Sequence, residues 1–235
     1  MHERHHLIWL TEAGWQRQLA QAVDARQRET MAHWQDSRWP LVVRRADSDA
    51  AADEICAGIA LPPDAQGNKP RIAVRVKAAE VAAARAPFPL RDIVATRLPQ
   101  LPPGWPSAMA DLQEQMARAG ITLAVFGSLA WQAVTGQTYL RSTSDIDLLF
   151  QPTDRAQLEQ GVRLLAYHAM FLPLDGEIVF PGGAAVSWKE WRQVAVLGGN
   201  ADGRVLVKGP AAVLLERVGA LAASLPAEGE GRCAA

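Results

Sequence analysis

The 235-residue sequence is short of cysteine, of net charge and of long apolar runs, and each shortage removes a class of protein. Cys56 and Cys233 are its only cysteines, too few for a disulfide framework or a cysteine-based zinc cluster. A net charge of −1 excludes a broad basic face that binds nucleic acid through counterion release. No apolar run reaches the length of a membrane-spanning helix. The opening Met1-His-Glu-Arg-His-His6 does not develop into a signal-peptide core. A cytoplasmic protein with no nucleic-acid and no membrane partner is expected. What is present is 49% hydrophobic and 21% charged, the balance of a folded enzyme rather than a disordered chain.

Periodicity and turn residues divide the chain. Trp15, Leu19, Val23, Met31 and Trp34 recur among polar residues at helical spacing between Thr11 and Ser37. Trp39–Val43, Ile55–Leu61 and Pro70–Val76 read as strands, the last two forming a hairpin across the turn-rich Pro62–Asn68. Lys77–Arg85 is alanine-rich and predicts a helix, and Leu90–Thr96 a helical turn. Four prolines crowd 98–106, which excludes regular helix or central strand and marks a linker. Ser107 is the expected N-cap of a helix ending at Ala119, with Gly120 closing it. Helix is expected over Asp154–Met170 and strand over Asp175–Phe180. Gln193–Leu197 and Arg204–Val207 suggest a second hairpin, and Gly209-Pro210 the start of a closing helix. The expected organisation is an N-terminal domain over 1–97, a linker over 98–106, a catalytic domain over 107–226 and a flexible tail over 227–235.

The chemistry concentrates in the second half. The apolar run Ile121–Phe126 leads into Gly127-Ser128, a helix-like stretch follows, and Ser144-Asp145-Ile146-Asp147 opens another apolar strand. Alternation along a strand points Asp145 and Asp147 the same way and Ile146 oppositely. Two carboxylates on one face suit Mg²⁺, with Mn²⁺ as the alternative, because hard cations take a few carboxylates plus substrate phosphates. Free N–H groups where Gly127-Ser128 opens a helix favour phosphate. Arg141, just before the acids, is a candidate for charge on a leaving group. Arg44 and Arg45 alternate on a strand, so at most one faces any ligand, and Lys208 is a further phosphate candidate.

This order of strand, Gly-Ser, helix and Asp-x-Asp strand resembles the nucleotidyltransferase superfamily typified by DNA polymerase beta. The resemblance implies an α+β fold: a nucleotidyltransferase-like C-terminal domain with a mixed sheet and flanking helices, preceded by a smaller α+β domain. It also implies a third acid from a later strand, for which Glu177 is preferred and Asp175 remains open. The strings His6–Leu10, Trp39–Ala46, Gly58–Pro63, Pro70–Arg75, Phe126–Gln132, Ser144–Leu149 and Arg204–Gly209 together resemble the phosphoribosyl-dephospho-CoA transferase family of the malonate decarboxylase system. That resemblance implies a donor, 2′-(5″-triphosphoribosyl)-3′-dephospho-CoA, and an acceptor serine on the apo acyl carrier protein subunit of malonate decarboxylase, with pyrophosphate leaving. An ATP-dependent nucleotidyltransferase and a non-catalytic binding module of the same fold are the competing readings.

Overall fold

The computed structural model describes residues 2–96, 98, 99 and 101–227. The expected tail lies outside these residues except for Ala227. The chain is α+β and forms two compact units. One contains the residues up to Pro87 together with Val134–Tyr139, and the other Phe88–Ala133 and the residues from Leu140 on.

Among the described residues, the first unit holds β1 (Leu7–Leu10), α1 (Glu12–Ala20), α2 (Ala25–Asp36), β2 (Leu41–Val43), β3 (Glu54–Ala60), β4 (Arg71–Lys77) and β5 (Val81–Arg85). The strands form an antiparallel sheet in the order β4-β3-β2-β1-β5. The expected continuous helical stretch is two helices, each started by its own cap. Thr11 accepts from the Gly14 N–H and Asp24 from the Gln27 N–H. Trp15, Met31 and Trp34 are buried with Ile8, Ile59, Val74 and Val76, and the Trp34 indole donates to the Pro40 carbonyl at 2.9 Å.

Lys77–Arg85 is not the helix that its alanines predict. A 3₁₀ turn at Ala78–Glu80 leads into β5, which pairs along β1 from Leu7↔Arg85 to Leu10↔Val81. Ladder bonds to a strand distant in sequence outweigh a local alanine preference of a few tenths of a kcal/mol per residue. Glu80 locks the turn through the Arg17 guanidinium, while its carbonyl accepts from the Thr11 N–H at 2.8 Å. The segment Val134–Tyr139 also packs here, the Tyr139 hydroxyl donating to the Ala60 carbonyl at 2.8 Å.

The second unit contains β6 (Phe88–Pro89), α3 (Leu90–Thr96), α4 (Trp105–Arg118), β7 (Leu123–Phe126), α5 (Gly127–Thr135), β8 (Ile146–Phe150), α6 (Arg155–His168), β9 (Leu174–Val179), β10 (Ala185–Ser187), α7 (Trp188–Trp191), β11 (Arg204–Lys208), β12 (Val213–Arg217) and α8 (Val218–Ala223). Its sheet has the order β12-β11-β10-β9-β8-β7-β6 and is mixed: β8 and β9 are parallel, the other pairs antiparallel. Ile146, Leu148 and Phe150 point to one face of β8, where helices cover them. A methyl group at Gly161 of α6 would meet the Phe150 ring at 2.3 Å, so that helix lies directly on this face. Asp147 and Leu149 therefore face the other side.

Several local expectations differ here. The units divide at Pro87 and Phe88, upstream of the proline-rich stretch, because β6 pairs with β7 and Leu90 and Ile93 are buried in the second unit's core. Helix α4 starts at Trp105 from Gly104. Ser107 is already inside it, its hydroxyl returned to the Gly104 carbonyl at 3.0 Å. Gly120, at φ +68°, closes the helix as expected. Arg192–Leu197 is a π-helical continuation of α7, not a strand. The hairpin is instead β11 with β12, turned at Gly209–Ala212, and the closing helix begins at Val218. Pro210 lacks an N–H, which suits a tight turn as well as a helix start.

Candidate active site

The site is built where β7 ends and β8 begins. Strand β7 delivers Gly127 at φ +67°, a left-handed conformation that glycine adopts freely, and α5 starts there. Phe126 is paired with Asp147 across the ladder, which brings the turn against the acid. A methyl group at Gly127 would lie 1.9 Å from Asp147 Oδ2. No other residue type leaves room for that carboxylate. Ser128, 7% exposed, follows in the first turn of α5.

Asp145 is exposed and Asp147 half-buried, with Ile146 fully buried between them, so the two acids share the open side as alternation requires. The Arg141–Ser144 turn holds the entry to β8: the Ser144 hydroxyl accepts from the Arg141 N–H at 2.9 Å and the Ser144 N–H donates to the Arg141 carbonyl at 3.0 Å. That turn sets Arg141, exposed, next to the acid pair in the chain.

Parallel pairing of β8 with β9 decides which later acid stands beside the pair. Asp175 is the register partner of Asp147, and Glu177 that of Leu149, one step further along the same face. Glu177 is buried at 4% exposed and held by Lys208 Nζ at 2.9 Å. Asp175 is more open, with Lys189 Nζ at 3.6 Å from its Oδ1. The structure thus gathers Gly127, Ser128, Asp147, Asp175 and Glu177 on adjoining elements and joins Lys208 to Glu177. Arg44 belongs to the other unit, where it forms a two-pronged pair with Asp47 and donates to the Ala57 carbonyl. Arg75 grips Asp47 and Asp49; the Arg44 guanidinium, aided by Arg75, holds Asp47 below the usual carboxylate range, and Arg75 does the same for Asp49.

Among the described residues no cluster of three or more His, Cys, Asp or Glu side chains has the arrangement of a protein-only metal cage. The donor chemistry still fits Mg²⁺: two hard carboxylates on one open face, Asp145 and Asp147, suit an ion that completes its shell with substrate oxygens.

Sequence reasoning missed three further cations in this unit: Lys189 on α7, Arg204 on β11 and Arg217 on β12. Lys189 follows β10 into α7, where buried Trp188 and Trp191 turn it outward. Arg204 and Arg217 become neighbours only because Val213–Arg217 is a strand. The length-two alternation of Arg204-Val-Leu-Val-Lys208 was the available signal for one of them.

Comparison with known families accords with the two-unit architecture. The family model described as the phosphoribosyl-dephospho-CoA transferase MdcG N-terminal domain matches residues 3–87, and the corresponding C-terminal domain model matches residues 90–218. A phosphoribosyl-dephospho-CoA transferase of Bradyrhizobium diazoefficiens is 34% identical over 217 residues, covering 91% of this chain and 90% of that protein. One of Xanthomonas campestris pv. campestris is 34% identical over 194 residues, covering 80% of this chain and 84% of the relative. One of Pseudomonas aeruginosa is 31% identical over 182 residues, with 75% and 77% covered. No solved structure matches significantly. With both of its units matched in order and curated relatives aligned over most of its length, the chain belongs to the phosphoribosyl-dephospho-CoA transferase family.

Proposed function

We propose that this enzyme transfers the phosphoribosyl-dephospho-CoA group from 2′-(5″-triphosphoribosyl)-3′-dephospho-CoA to a serine of the apo acyl carrier protein subunit of malonate decarboxylase, in the cytoplasm. The observation that carries the reading is the close approach of Gly127 to Asp147 at the start of β8, two residues from Asp145. A nucleotidyl-type transfer needs a fixed carboxylate beside a helix start that can receive phosphate, and a Cβ at Gly127 would displace that carboxylate.

In this reading the acceptor serine Oγ attacks the α-phosphorus of the triphosphate. The new Oγ–P bond forms as the α–β phosphoanhydride bond breaks, and pyrophosphate leaves. The serine proton passes to a carboxylate of the Asp145/Asp147 pair or to solvent. Backbone N–H groups at the start of α5, with the Ser128 hydroxyl, orient the triphosphate. Asp145 and Asp147 would hold Mg²⁺ or Mn²⁺, which supplies neutralisation of charge on the phosphate oxygens when bound. Asp175 is better placed than Glu177 to act beside them, since it is level with Asp147. Glu177 instead anchors Lys208. Arg141 supports charge on departing pyrophosphate.

The test is the intact mass of the apo carrier protein after incubation with enzyme and the triphosphoribosyl donor, beside a reaction with ATP. A mass gain equal to phosphoribosyl-dephospho-CoA with the donor alone supports the reading. A gain equal to AMP, or none with either donor, rejects it in favour of an ATP-dependent nucleotidyltransferase or a non-catalytic module.

A further inference from the structure

Strands β11 and β12 place two cations directly opposite each other. Arg204 and Arg217 are register partners at one end of the hairpin, and like charges so placed repel. Arg217 has a long contact to Asp202, 3.8 Å between groups that are both largely exposed, which offsets little. Arg204 is exposed, and its side chain makes no hydrogen bond or ion pair among the described residues. The remainder of β11 gives no structural reason for this arrangement, because Val205 and Val207 already fix its inward face.

Register shows which face the arginines share. Asp147 pairs with Asp175, and Glu177 lies on that same face of β9. Glu177 pairs with Ser187, Ala185 follows on the same face of β10, and Ala185 pairs with Lys208. Leu206 and Arg204 alternate with Lys208 onto that face, and Arg204 pairs with Arg217. Counting back along the strands, Arg204 is level with Asp175 and so with Asp147. One row across the open face therefore carries the acids at one end and the two arginines at the other. Lys189 stands between them beside Asp175. At about 4.8 Å per strand the arginines lie roughly 14–19 Å from Asp147. Just behind them Leu206 and Leu215, also register partners, are 40% and 57% exposed.

We propose that Arg204 and Arg217 form the seat of the diphosphate that joins the nucleoside to the pantetheine arm of the dephospho-CoA donor, and that Leu206 and Leu215 carry the arm. The inference rests on the proposed function, in which the acids take the triphosphate end. The donor has two polyphosphate groups separated by two riboses, and this row offers one group for each. Guanidinium forks bind phosphate oxygens bidentately, and an anion between the two arginines cancels their repulsion. The gem-dimethyl group and methylenes of the extended pantetheine arm suit an apolar strip continuous with the diphosphate seat, which Leu206 and Leu215 supply on the same face.

The experiment measures affinities of the full-length protein for dephospho-CoA and for ADP by calorimetry, with a chelator present. Neither probe carries the triphosphate and no divalent metal is needed, so binding is read independently of the acid pair. An R204Q/R217Q double variant is expected to bind both probes about tenfold or more weakly, the loss of one charge-assisted interaction. Its melting temperature without ligand should be equal to or above that of the wild type, because removing the repulsion costs the fold nothing. An L206S/L215S variant should lose dephospho-CoA affinity while retaining ADP affinity. Unchanged affinity for dephospho-CoA in the arginine variant overturns the proposal. So does an unchanged donor affinity accompanied by a raised KM for the carrier protein, which would assign the arginines to the acceptor. Failure of the carrier mass gain with intact dephospho-CoA binding would reject the transfer reading and leave this binding seat standing.

Discussion

The Asp147 carboxylate fills the space that a side chain on Gly127 would need: a methyl group on the glycine would stand 1.9 Å from Asp147 Oδ2. Glycine here has two separate duties, a left-handed φ of +67° and the absence of a side chain. Gly127→Ala is expected to keep the fold, since the strain of about 1–2 kcal/mol is local, but to displace Asp147. Transfer should fall by at least about 10²-fold, consistent with misplacement of a catalytic group. Carrier mass gain against time, with circular dichroism as the fold control, checks this; near-normal rates would make the contact incidental.

Asp145→Asn and Asp147→Asn should each reduce transfer by on the order of 10³-fold, the loss of several kcal/mol of transition-state stabilisation. Neither side chain is fully buried, so both variants should melt close to wild type. Ser128→Ala should cost less, at most about 10²–10³-fold, because backbone donors at the start of α5 remain. The order of the three rates is the measurement, and a serine variant worse than both acid variants would contradict it.

Gly176 sits in β9 at φ +134°, and a methyl group there would be 1.9 Å from the Leu148 carbonyl oxygen. That atom is backbone and cannot swing away. Gly176→Ala should therefore destabilise by at least about 3 kcal/mol through strain and the disrupted β8–β9 pairing. Thermal melting should show a Tm lower by roughly 6–12 °C. A small shift would mean that the parallel pair relaxes without loss.

His168, 2% exposed in the last turn of α6, has a buried Nε2 without a hydrogen-bond partner. Burial lowers its pKa from the ordinary value of 6.5, with the charge of Asp111 opposing. The unfolded chain therefore binds the proton more readily, and stability should be full above about pH 6.5 and decline as pH falls below it. His168→Leu should flatten the Tm profile between pH 7.5 and 5.5, to the order of the effect expected for one buried histidine. Parallel profiles for the two proteins would assign the acid sensitivity elsewhere.

Arg44 is committed to Asp47 within an ion-pair group that includes Arg75 and Asp49. Arg44→Glu should therefore act on stability before it acts on ligand affinity, placing a carboxylate against Asp47. These partly exposed pairs are screened, so a loss of about 1 kcal/mol is expected, or about 2–4 °C in Tm. Chemical denaturation at low and high salt checks it, with a smaller loss at high salt. A stable variant with a raised KM would restore a direct ligand contact for Arg44.

The order strand, Gly127-Ser128, helix, Asp145-x-Asp147 strand was legible because each step is local. A glycine permits the turn, a helix start follows it, and alternation by two puts both acids on one side. The helix over Arg155–His168 and the hairpin of β3 with β4 were legible for the same reason, through an Asp154 cap and a turn-rich connection. Tertiary structure decided the rest. Alanine-rich Val81–Arg85 became a strand because β1 offered its edge, and Val213–Arg217 became a strand because β11 did. Whether Asp175 or Glu177 stands beside Asp147 depended on the register of two parallel strands, which no local pattern states. Composition determined which residues could do chemistry. Pairing between strands far apart in sequence, set by packing and ladder hydrogen bonds, decided which of them meet.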